Sequence, residues 1–163
     1  MIGQTLAIAT AMVESITVPA GWVAAETDGD DPRHFSVSGY PDVVFGMFSR
    51  EVSSLNHLAV CRALSLGEHR LSVRELESLA PVLGNMSDAD AFALRLALVL
   101  ELKGKPVVVV EGVYTANNHR CRTLLLRSSG NMIELIYYQA PADLFDSYAP
   151  VIDLAFKSII WRH

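Results

Sequence analysis

Cys121 and His119 are the residues whose types and spacing come closest to a catalytic pair. They lie two positions apart on a predicted strand, so both side chains point to the same face of a sheet. A histidine beside a cysteine can take the thiol proton and leave a nucleophilic thiolate. Neither residue lies at a strand-to-helix elbow or in another context typical of a cysteine hydrolase. We therefore expect no enzyme, with a small cysteine-dependent enzyme as the alternative.

Histidine and cysteine also raise the question of a metal site. His57 and Cys61 are four residues apart, which places both side chains on one face of a predicted helix, and His69 follows along the chain. Two or three such ligands do not complete a zinc site, and the sequence lacks the CxxC and HExxH spacings that would supply the others. We expect no metal and no cofactor.

Two carboxylates, Glu111 and Glu134, lie on neighbouring predicted strands and have the residue types of a glycosidase acid pair. We expect both to face solvent and to form ordinary cross-strand ion pairs with Arg95, Arg122 or Arg127. The sequence contains no GxGxxG, GxxxxGKS or GxSxG motif. Dinucleotide binding, phosphate binding and serine hydrolysis are therefore unsupported.

The composition argues against several classes of function. Of 163 residues, 51% are hydrophobic and 19% are charged, and 13 Lys and Arg against 18 Asp and Glu give a net charge of −5. An acidic chain with a pI ≈ 5.5 lacks the basic stripe of a nucleic-acid-binding protein. Mean hydropathy is high at +0.29, yet no run of about 20 apolar residues is available for membrane insertion. The apolar surplus therefore belongs to the core or to a binding surface.

Cysteine usage and the N-terminus indicate a cytoplasmic protein. Cys61 and Cys121 do not form a disulfide framework, which favours a reducing compartment. Residues 1–11 are apolar but lack the positive region of a signal peptide, and Glu14 interrupts the run, so we interpret them as a strand. An export signal already removed from the chain is the alternative. The acidic segment 27–32 lacks the terminal glutamate of a calcium loop and is predicted to be a solvated turn.

Two helices are predicted in the middle of the chain. The first spans about 53–66, begins at a serine cap and ends at Gly67. Its apolar face is formed by residues at helical spacing, namely Leu55, Leu58, Ala59 and Leu66. The second begins at the capping box Ser72–Glu75 and runs to about Leu83 unless Pro81 ends it earlier.

A meander of strands is predicted next. In residues 92–103, leucines occupy every second position from Leu94 to Leu102 and charged residues take the other parity, which favours a strand over a helix. The β-branched run Val107–Val110 and the segments 120–127 and 131–139 follow after short turns. Four such strands form an antiparallel sheet. Because Val107–Val110 is apolar on both parities, we expect both faces of this sheet to be buried.

The end of the chain changes to a helical period. Apolar residues recur every three or four positions from Leu144 to Ile160. Because proline disrupts a helix interior, we predict a short turn at 142–147 and a main helix that begins near Pro150. The whole chain, residues 1–163, is predicted to be one domain.

Several short motifs resemble the PsbP-like family. They are the corner Val18–Trp22, the strand motif Gly112–Tyr114, the segment Tyr138–Pro141, and the closing stretch with Phe145, Pro150 and Ala155–Ile160. The family takes in the extrinsic subunit of photosystem II, the Ran-binding Mog protein, and bacterial DcrB-type proteins with type VI secretion effector chaperones among them. The resemblance implies an α+β fold, an α/β/α sandwich around a twisted, mainly antiparallel sheet with the C-terminal helix packed on it. It also implies a non-enzymatic role.

The sequence therefore predicts a protein-binding adaptor, with a bacterial secretion-effector chaperone or a toxin immunity protein as specific roles. The partner is expected to be a protein or peptide, and an acidic binder suits a basic one. A homo-oligomer formed through an exposed sheet face is a further alternative. Candidate contact residues are the aromatic side chains Phe45, Phe48, Tyr114, Tyr137 and Tyr138. Because Tyr137 and Tyr138 are adjacent on a strand, they must face opposite ways.

Overall fold

The computed structural model describes residues 4–7, 10–25 and 33–162, so the predicted turn at 27–32 lies outside the described residues. The strands are β1 (Gln4–Ala7), β2 (Val13–Val18), β3 (Trp22–Ala24), β4 (His34–Val37), β5 (Tyr40–Glu51), β6 (His69–Arg70), β7 (Phe92–Leu102), β8 (Lys105–Tyr114), β9 (His119–Arg127), β10 (Met132–Pro141) and β11 (Ile160–Trp161). The helices are α1 (Ser54–Ser65), α2 (Val73–Leu83), a 3-10 turn at Gly84–Ser87, and α3 (Ala142–Lys157).

In the described part of the chain, the main sheet has eight antiparallel strands in the order β3-β4-β5-β10-β9-β8-β7-β6. The predicted meander β7-β8-β9-β10 forms its centre, and β5 extends it beyond β10. Helices lie on both faces, with α1 and α2 on one face and α3 on the other. The prediction of an α+β fold around an antiparallel sheet is confirmed.

Alternate residues of the central strands supply two separate cores. Val108 and Val110 pack in the core beneath α1 and α2, a surface we call the helical face. Val107 and Val109 pack beneath α3, on what we call the α3 face. All four are buried, so the expectation of a sheet covered on both sides is confirmed for this strand.

A second, smaller sheet shares the α3 face and was not predicted. It has the order β1-β2-β11, so its central strand pairs with segments from near both ends of the chain. Ile160 lies opposite Ser15, and Trp161 lies opposite Val13. The Trp161 indole donates a 2.9 Å hydrogen bond to the Leu102 carbonyl and fixes β11 against the main sheet. Ile160 is thus part of a strand rather than the end of the closing helix.

The closing helix also begins earlier than predicted. α3 runs without interruption from Ala142 to Lys157 and contains Pro150 in its interior, so the predicted turn at 142–147 is wrong. Phe145 and Ile152 are buried on either side of the proline, whose own position is exposed. Packing of the apolar face outweighs the loss of one helical hydrogen bond on the solvent side.

The predicted strand at 92–103 is confirmed as β7, but its leucines do not share one face. Leu94 lies opposite Gly112 whereas Leu96 lies opposite Glu111, with Arg95 as the extra residue of a bulge. Because Gly112 and Glu111 point to opposite faces of β8, the bulge turns Leu94 onto the helical face. The helix cap at Ser53 and the capping box of Ser72 with Glu75 form as predicted.

Candidate functional site

The five predicted contact residues separate onto the two faces of the main sheet. Tyr138 is fully buried on the α3 face, where its hydroxyl donates a 2.6 Å hydrogen bond to the Phe145 carbonyl. Phe45 is 2% exposed in the same core. Phe45 and Tyr138 are therefore core residues, because α3 packs over their face of the sheet. Phe48, Tyr114 and Tyr137 lie together on the helical face.

Phe48, Tyr114 and Tyr137 line one groove, which we call the tyrosine groove. It has a volume of ≈ 390 Å³ and opens to solvent on the helical face, beside the 3-10 turn that follows α2. The Phe48 and Tyr137 rings lie 6.1 Å apart, and Phe48 is 40% exposed. The remaining lining residues are Val44, Met86, Cys121, Thr123, Leu135 and Gln139.

Gly46 makes room for one wall of the groove. It lies between His34 on β4 and Tyr137 on β10 in the strand register. A Cβ atom at this glycine would lie 2.7 Å from the Tyr137 hydroxyl and 2.9 Å from both the Arg33 carbonyl and the His34 ring. Both rings can therefore approach β5 closely only because position 46 has no side chain.

Gly112 allows a similar close approach beside the groove, on the strand that carries Tyr114. A Cβ atom there would lie 2.4 Å from the Phe92 ring and 2.5 Å from the Ala93 carbonyl. Phe92 packs edge-on against Tyr114, directly across the β7–β8 pair, with 5.0 Å between ring centroids. Glycines inside two strands were the available sequence signal for this groove, because a glycine in a strand interior often marks such a close approach.

Among the lining residues that the structure describes, the tyrosine groove carries no charged side chain. Burial raises the pKa of Tyr114 to about 12, and the neighbouring Cys121 thiol adds to the shift. Burial likewise raises the pKa of Cys121 to about 11. Both groups therefore stay protonated at neutral pH, and the groove offers hydroxyl, thiol and amide groups among apolar surfaces.

The surroundings of Cys121 also bear on the alternative prediction, a cysteine-dependent enzyme that uses Cys121 and His119. Cys121 is 1% exposed, and besides this burial its pKa is affected, among the described residues, by Thr123, the Gly112 backbone, the charge of Glu111, and Tyr114, but not by His119. A nucleophilic cysteine needs a lowered pKa, whereas burial raises that of Cys121. The surroundings of Cys121 are those of a structural thiol.

His57 and Cys61 do share one face of α1, as their spacing predicts. The Cys61 sulfur lies 3.6 Å from His57 Nδ1. His69 instead bonds to Glu75, with 2.9 Å between Nε2 and Oε2. Within residues 4–7, 10–25 and 33–162, no group of three or more His, Cys, Asp and Glu side chains is placed to hold a metal ion.

The two carboxylates of the central strands have different surroundings. Glu111 forms the predicted cross-strand ion pair with Arg122, which also contacts Asp153 on α3. Glu134 does not face solvent as predicted: it is 1% exposed on the α3 face. Its Oε1 accepts hydrogen bonds from the backbone N–H groups of Ala11 and Met12, because the segment before β2 packs over this part of β10.

Two exposed apolar surfaces lie outside the tyrosine groove. On α1, the leucines that predicted the helix face outward, because Val60, Ala63 and Leu64 pack against the sheet instead. This α1 leucine stripe consists of Leu55, Leu58 and the C-cap residue Leu66, which are 74%, 43% and 67% exposed.

On the α3 face lies a cleft of ≈ 460 Å³. The Trp22 ring packs edge-on against Tyr148 of α3 inside it, with 6.1 Å between centroids. The corner Pro19–Trp22 forms one side, and Val151 and Leu154 form the other. The corner motif was visible in the sequence, but the pairing of β3 with β4 and the course of α3 create the cleft. No helix within the described residues is long and apolar enough to span a membrane.

Comparison with known proteins identifies the fold. The solution structure of cyanobacterial PsbP (CyanoP) from Synechocystis sp. PCC 6803 superposes with a TM-score of 0.59 at 14% identity, covering 99% of this chain and 93% of that one. The fold is PsbP-like. A crystal structure from Bacteroides thetaiotaomicron VPI-5482 matches with a TM-score of 0.51 at 12% identity, and this chain spans 50% of its length. The sequence matches no protein-family model and no curated protein.

The PsbP-like fold confirms the coarse part of the sequence resemblance. At 12–14% identity, the likeness shows the arrangement of the chain and not its activity. Two of the motifs that carried the resemblance lie at surface features of this fold. The Pro19–Trp22 corner borders the α3 cleft, and Tyr114, the last residue of the Gly112–Tyr114 motif, lines the tyrosine groove.

Proposed function

We propose that this PsbP-like chain is a non-enzymatic adaptor that binds a protein partner in the tyrosine groove. The observation that carries the proposal is the grouping of Phe48, Tyr114 and Tyr137 around one open groove. Aromatic side chains are enriched at the centres of protein interfaces, because they bury a large area at a low cost in side-chain entropy.

The lining of the groove supports a particular kind of ligand. Its apolar and aromatic surfaces suit a large uncharged side chain, and Gln139 and Thr123 supply amide and hydroxyl groups suited to a peptide backbone. Few polar groups among apolar walls are typical of sites that fix a ligand's orientation. The net charge of −5 favours association with a basic partner by electrostatic steering.

The specific roles remain those expected from the sequence, a bacterial secretion-effector chaperone or a toxin immunity protein. Cys61 and Cys121 are unpaired, which supports a reducing, cytoplasmic location. The raised pKa of Cys121 supports a function that does not depend on a catalytic thiol at that position. A cysteine-dependent enzyme would lose its activity in Cys121→Ala, whereas the adaptor proposal expects at most a modest loss of partner affinity from this change in the groove wall.

The experiment compares two exposed aromatic residues of the same strand. Phe48 lines the groove, whereas Tyr40, 50% exposed at the other end of β5, does not. A partner is identified by co-purification from the native host, and its affinity for the purified chain is then measured by calorimetry. We expect Phe48→Ala and Tyr137→Ala to weaken binding about tenfold or more, and Tyr40→Ala to leave it unchanged.

The opposite pattern would reject the groove as the binding site. If Tyr40→Ala weakens binding and the two groove variants do not, the partner occupies another surface. If the native host yields no partner at all for the wild-type chain, the adaptor proposal itself fails.

The homo-oligomer is a second candidate, and the α1 leucine stripe favours it. Large apolar side chains that lie together on a surface often mark an interaction site, and Leu55, Leu58 and Leu66 are exposed along α1 and its C-terminal end. Sedimentation at several concentrations tests self-association through this surface. An oligomer that Leu58→Ser dissociates would support it, and a monomer at every concentration would exclude it.

A further inference from the structure

The pair formed by Cys61 and His57 has a third group next to it, the backbone carbonyl of Ser128. The Cys61 sulfur lies 3.6 Å from His57 Nδ1, one helical turn away on α1. On the other side of the ring, His57 Nε2 lies 3.1 Å from the backbone carbonyl oxygen of Ser128. Ser128 follows β9, so the imidazole joins the helix to the turn between β9 and β10.

The Ser128 carbonyl determines which ring nitrogen carries the proton. A carbonyl oxygen can only accept a hydrogen bond, so His57 Nε2 must be the N–H donor. In the neutral imidazole, Nδ1 then has its lone pair directed at the Cys61 sulfur. The thiol is the donor of that contact. The Cys61 thiol is therefore a candidate nucleophile, the His57 imidazole is its base, and the Ser128 carbonyl orients that base.

The orienting group is itself firmly placed. The Ser128 N–H donates a 2.8 Å hydrogen bond to the Met132 carbonyl, which closes the β9–β10 turn. Asn131 in the same turn donates through its side chain to Ser54 Oγ at 3.0 Å, at the first residue of α1. The turn and the start of the helix are thus connected at a second point, so the carbonyl and the imidazole keep their relative position.

The other cysteine provides an internal contrast. Cys121 is buried, and its pKa is raised to about 11, so little thiolate forms there at neutral pH. Cys61 is only partly buried on α1 and has an imidazole lone pair beside it. One chain therefore holds a protected thiol and a thiol with an adjacent base.

We infer that Cys61 is a modification site that undergoes thiol–disulfide exchange with small disulfides, with His57 as its base. The proton moves from the Cys61 sulfur to His57 Nδ1, and the resulting thiolate attacks one sulfur of the disulfide. A new S–S bond forms to Cys61 as the original S–S bond breaks. The departing thiolate takes the proton back from His57, so one disulfide is consumed and one mixed disulfide and one free thiol are produced.

The test measures the rate of reaction of the folded chain with dithiodipyridine, a disulfide that reacts in weakly acidic as well as neutral solution. Peptide mapping by mass spectrometry assigns the label to Cys61 or Cys121. His57→Gln is the matched variant, because the glutamine amide can still donate to the Ser128 carbonyl but cannot accept a proton. Cys61→Ser measures the background from Cys121.

We expect Cys61 to be labelled first, and His57→Gln to slow its labelling about tenfold or more at pH 6–7. The labelling rates of Cys61 in the wild type and in His57→Gln should converge near pH 10, where hydroxide removes thiol protons without help from a histidine. Equal rates in His57→Gln and the wild type across this range would overturn the inference, as would labelling of Cys121 before Cys61.

A second comparison uses the wild-type chain alone, in case His57→Gln does not fold. The rate for Cys61 is compared with that of N-acetylcysteine between pH 6 and pH 8. We expect the rate for Cys61 to fall less steeply as the pH is lowered, because His57 supplies the base there. Parallel pH dependences would overturn the inference.

Discussion

Tyr137 lies directly opposite Gly46 across the β10–β5 pair, with its hydroxyl 2.7 Å from where a Cβ atom of residue 46 would stand. The ring thus depends on the absence of a side chain at position 46. The candidate binding groove exists in this shape because one strand has a glycine where its neighbour has a tyrosine.

Gly46→Ala should therefore alter both stability and the groove. The new methyl group also meets the Arg33 carbonyl at 2.9 Å, and backbone yields less easily than a side chain. We expect the free energy of unfolding to fall by about 1–3 kcal/mol, as for other overpacked sites. Urea denaturation measures it, with Ser49→Ala on the exposed part of β5 as the control. An unchanged midpoint for Gly46→Ala would show that the ring and β5 separate freely.

Glu134→Gln should stabilise the protein at neutral pH. Burial raises the pKa of Glu134 above its ordinary value, although Met12, Thr10, Ala11 and the charge of Arg33 oppose the shift. Its Oε2 has no hydrogen-bond partner among the described residues. The glutamine keeps one accepting oxygen for the backbone and removes the buried charge.

The pH dependence of this effect has a definite sign. With its pKa raised, Glu134 binds more protons in the folded chain than in the unfolded one, so its contribution makes stability fall as pH rises above the ordinary value of 4.5. Urea denaturation of the wild type and Glu134→Gln from pH 4 to pH 8 should give a difference that grows with pH. A variant less stable than the wild type at pH 7 would contradict the expectation.

The His69–Glu75 pair should add stability within a limited pH range. Hydrogen bonds to the Gly67 carbonyl and to Glu75 raise the pKa of His69 above 6.5. Burial pushes the pKa of Glu75 upward, but the hydrogen bonds from His69 and Ser72 outweigh it, and the net pKa lies below 4.5. The contribution of His69 to the free energy of unfolding is lost as pH rises through its raised pKa. The contribution of Glu75 is lost as pH falls through its lowered pKa.

His69→Gln should accordingly lower the free energy of unfolding most between pH 4.5 and pH 6.5. Because both side chains are partly exposed, we expect at most about 1 kcal/mol. Thermal unfolding at pH 5.5 and at pH 9 measures the cost, with Ser78→Ala on the exposed side of α2 as the control. A cost that is larger at pH 9 would contradict this account of the pair.

Pro150→Ala should stabilise α3. The alanine restores a backbone N–H that can donate to the Asp146 carbonyl, and position 150 is exposed, so no core packing changes. The gain is about 1–2 kcal/mol, since the restored helix is partly offset by a more flexible unfolded chain. Urea denaturation with Ser147→Ala as the control measures it. Lower stability would show that the restricted backbone of the proline is needed for packing on the sheet.

Strand geometry explains why the five aromatic candidates divide between the core and the tyrosine groove. The period of two guarantees that Tyr137 and Tyr138 point to opposite faces. It does not say which face a helix covers. Tyr138 became a core residue because α3 packs on its side, and Tyr137 stayed in an open groove because α1 and α2 cover other strands on its side. For the same reason the sequence could not show that Glu134 lies on a covered face and is buried.

The two central helices, the four-strand meander and the presence of a closing helix were already determined by the sequence itself, since apolar periods, capping residues and turn glycines act within a few neighbouring residues. Packing over long distances decided the rest. The small sheet brings Val13 and Trp161 together, and the bulge at Arg95 redirects Leu94. The exposure of the α1 leucine stripe and the grouping of Phe48, Tyr114 and Tyr137 have the same origin. These features depend on which apolar surfaces meet in three dimensions, and no local pattern carries that information.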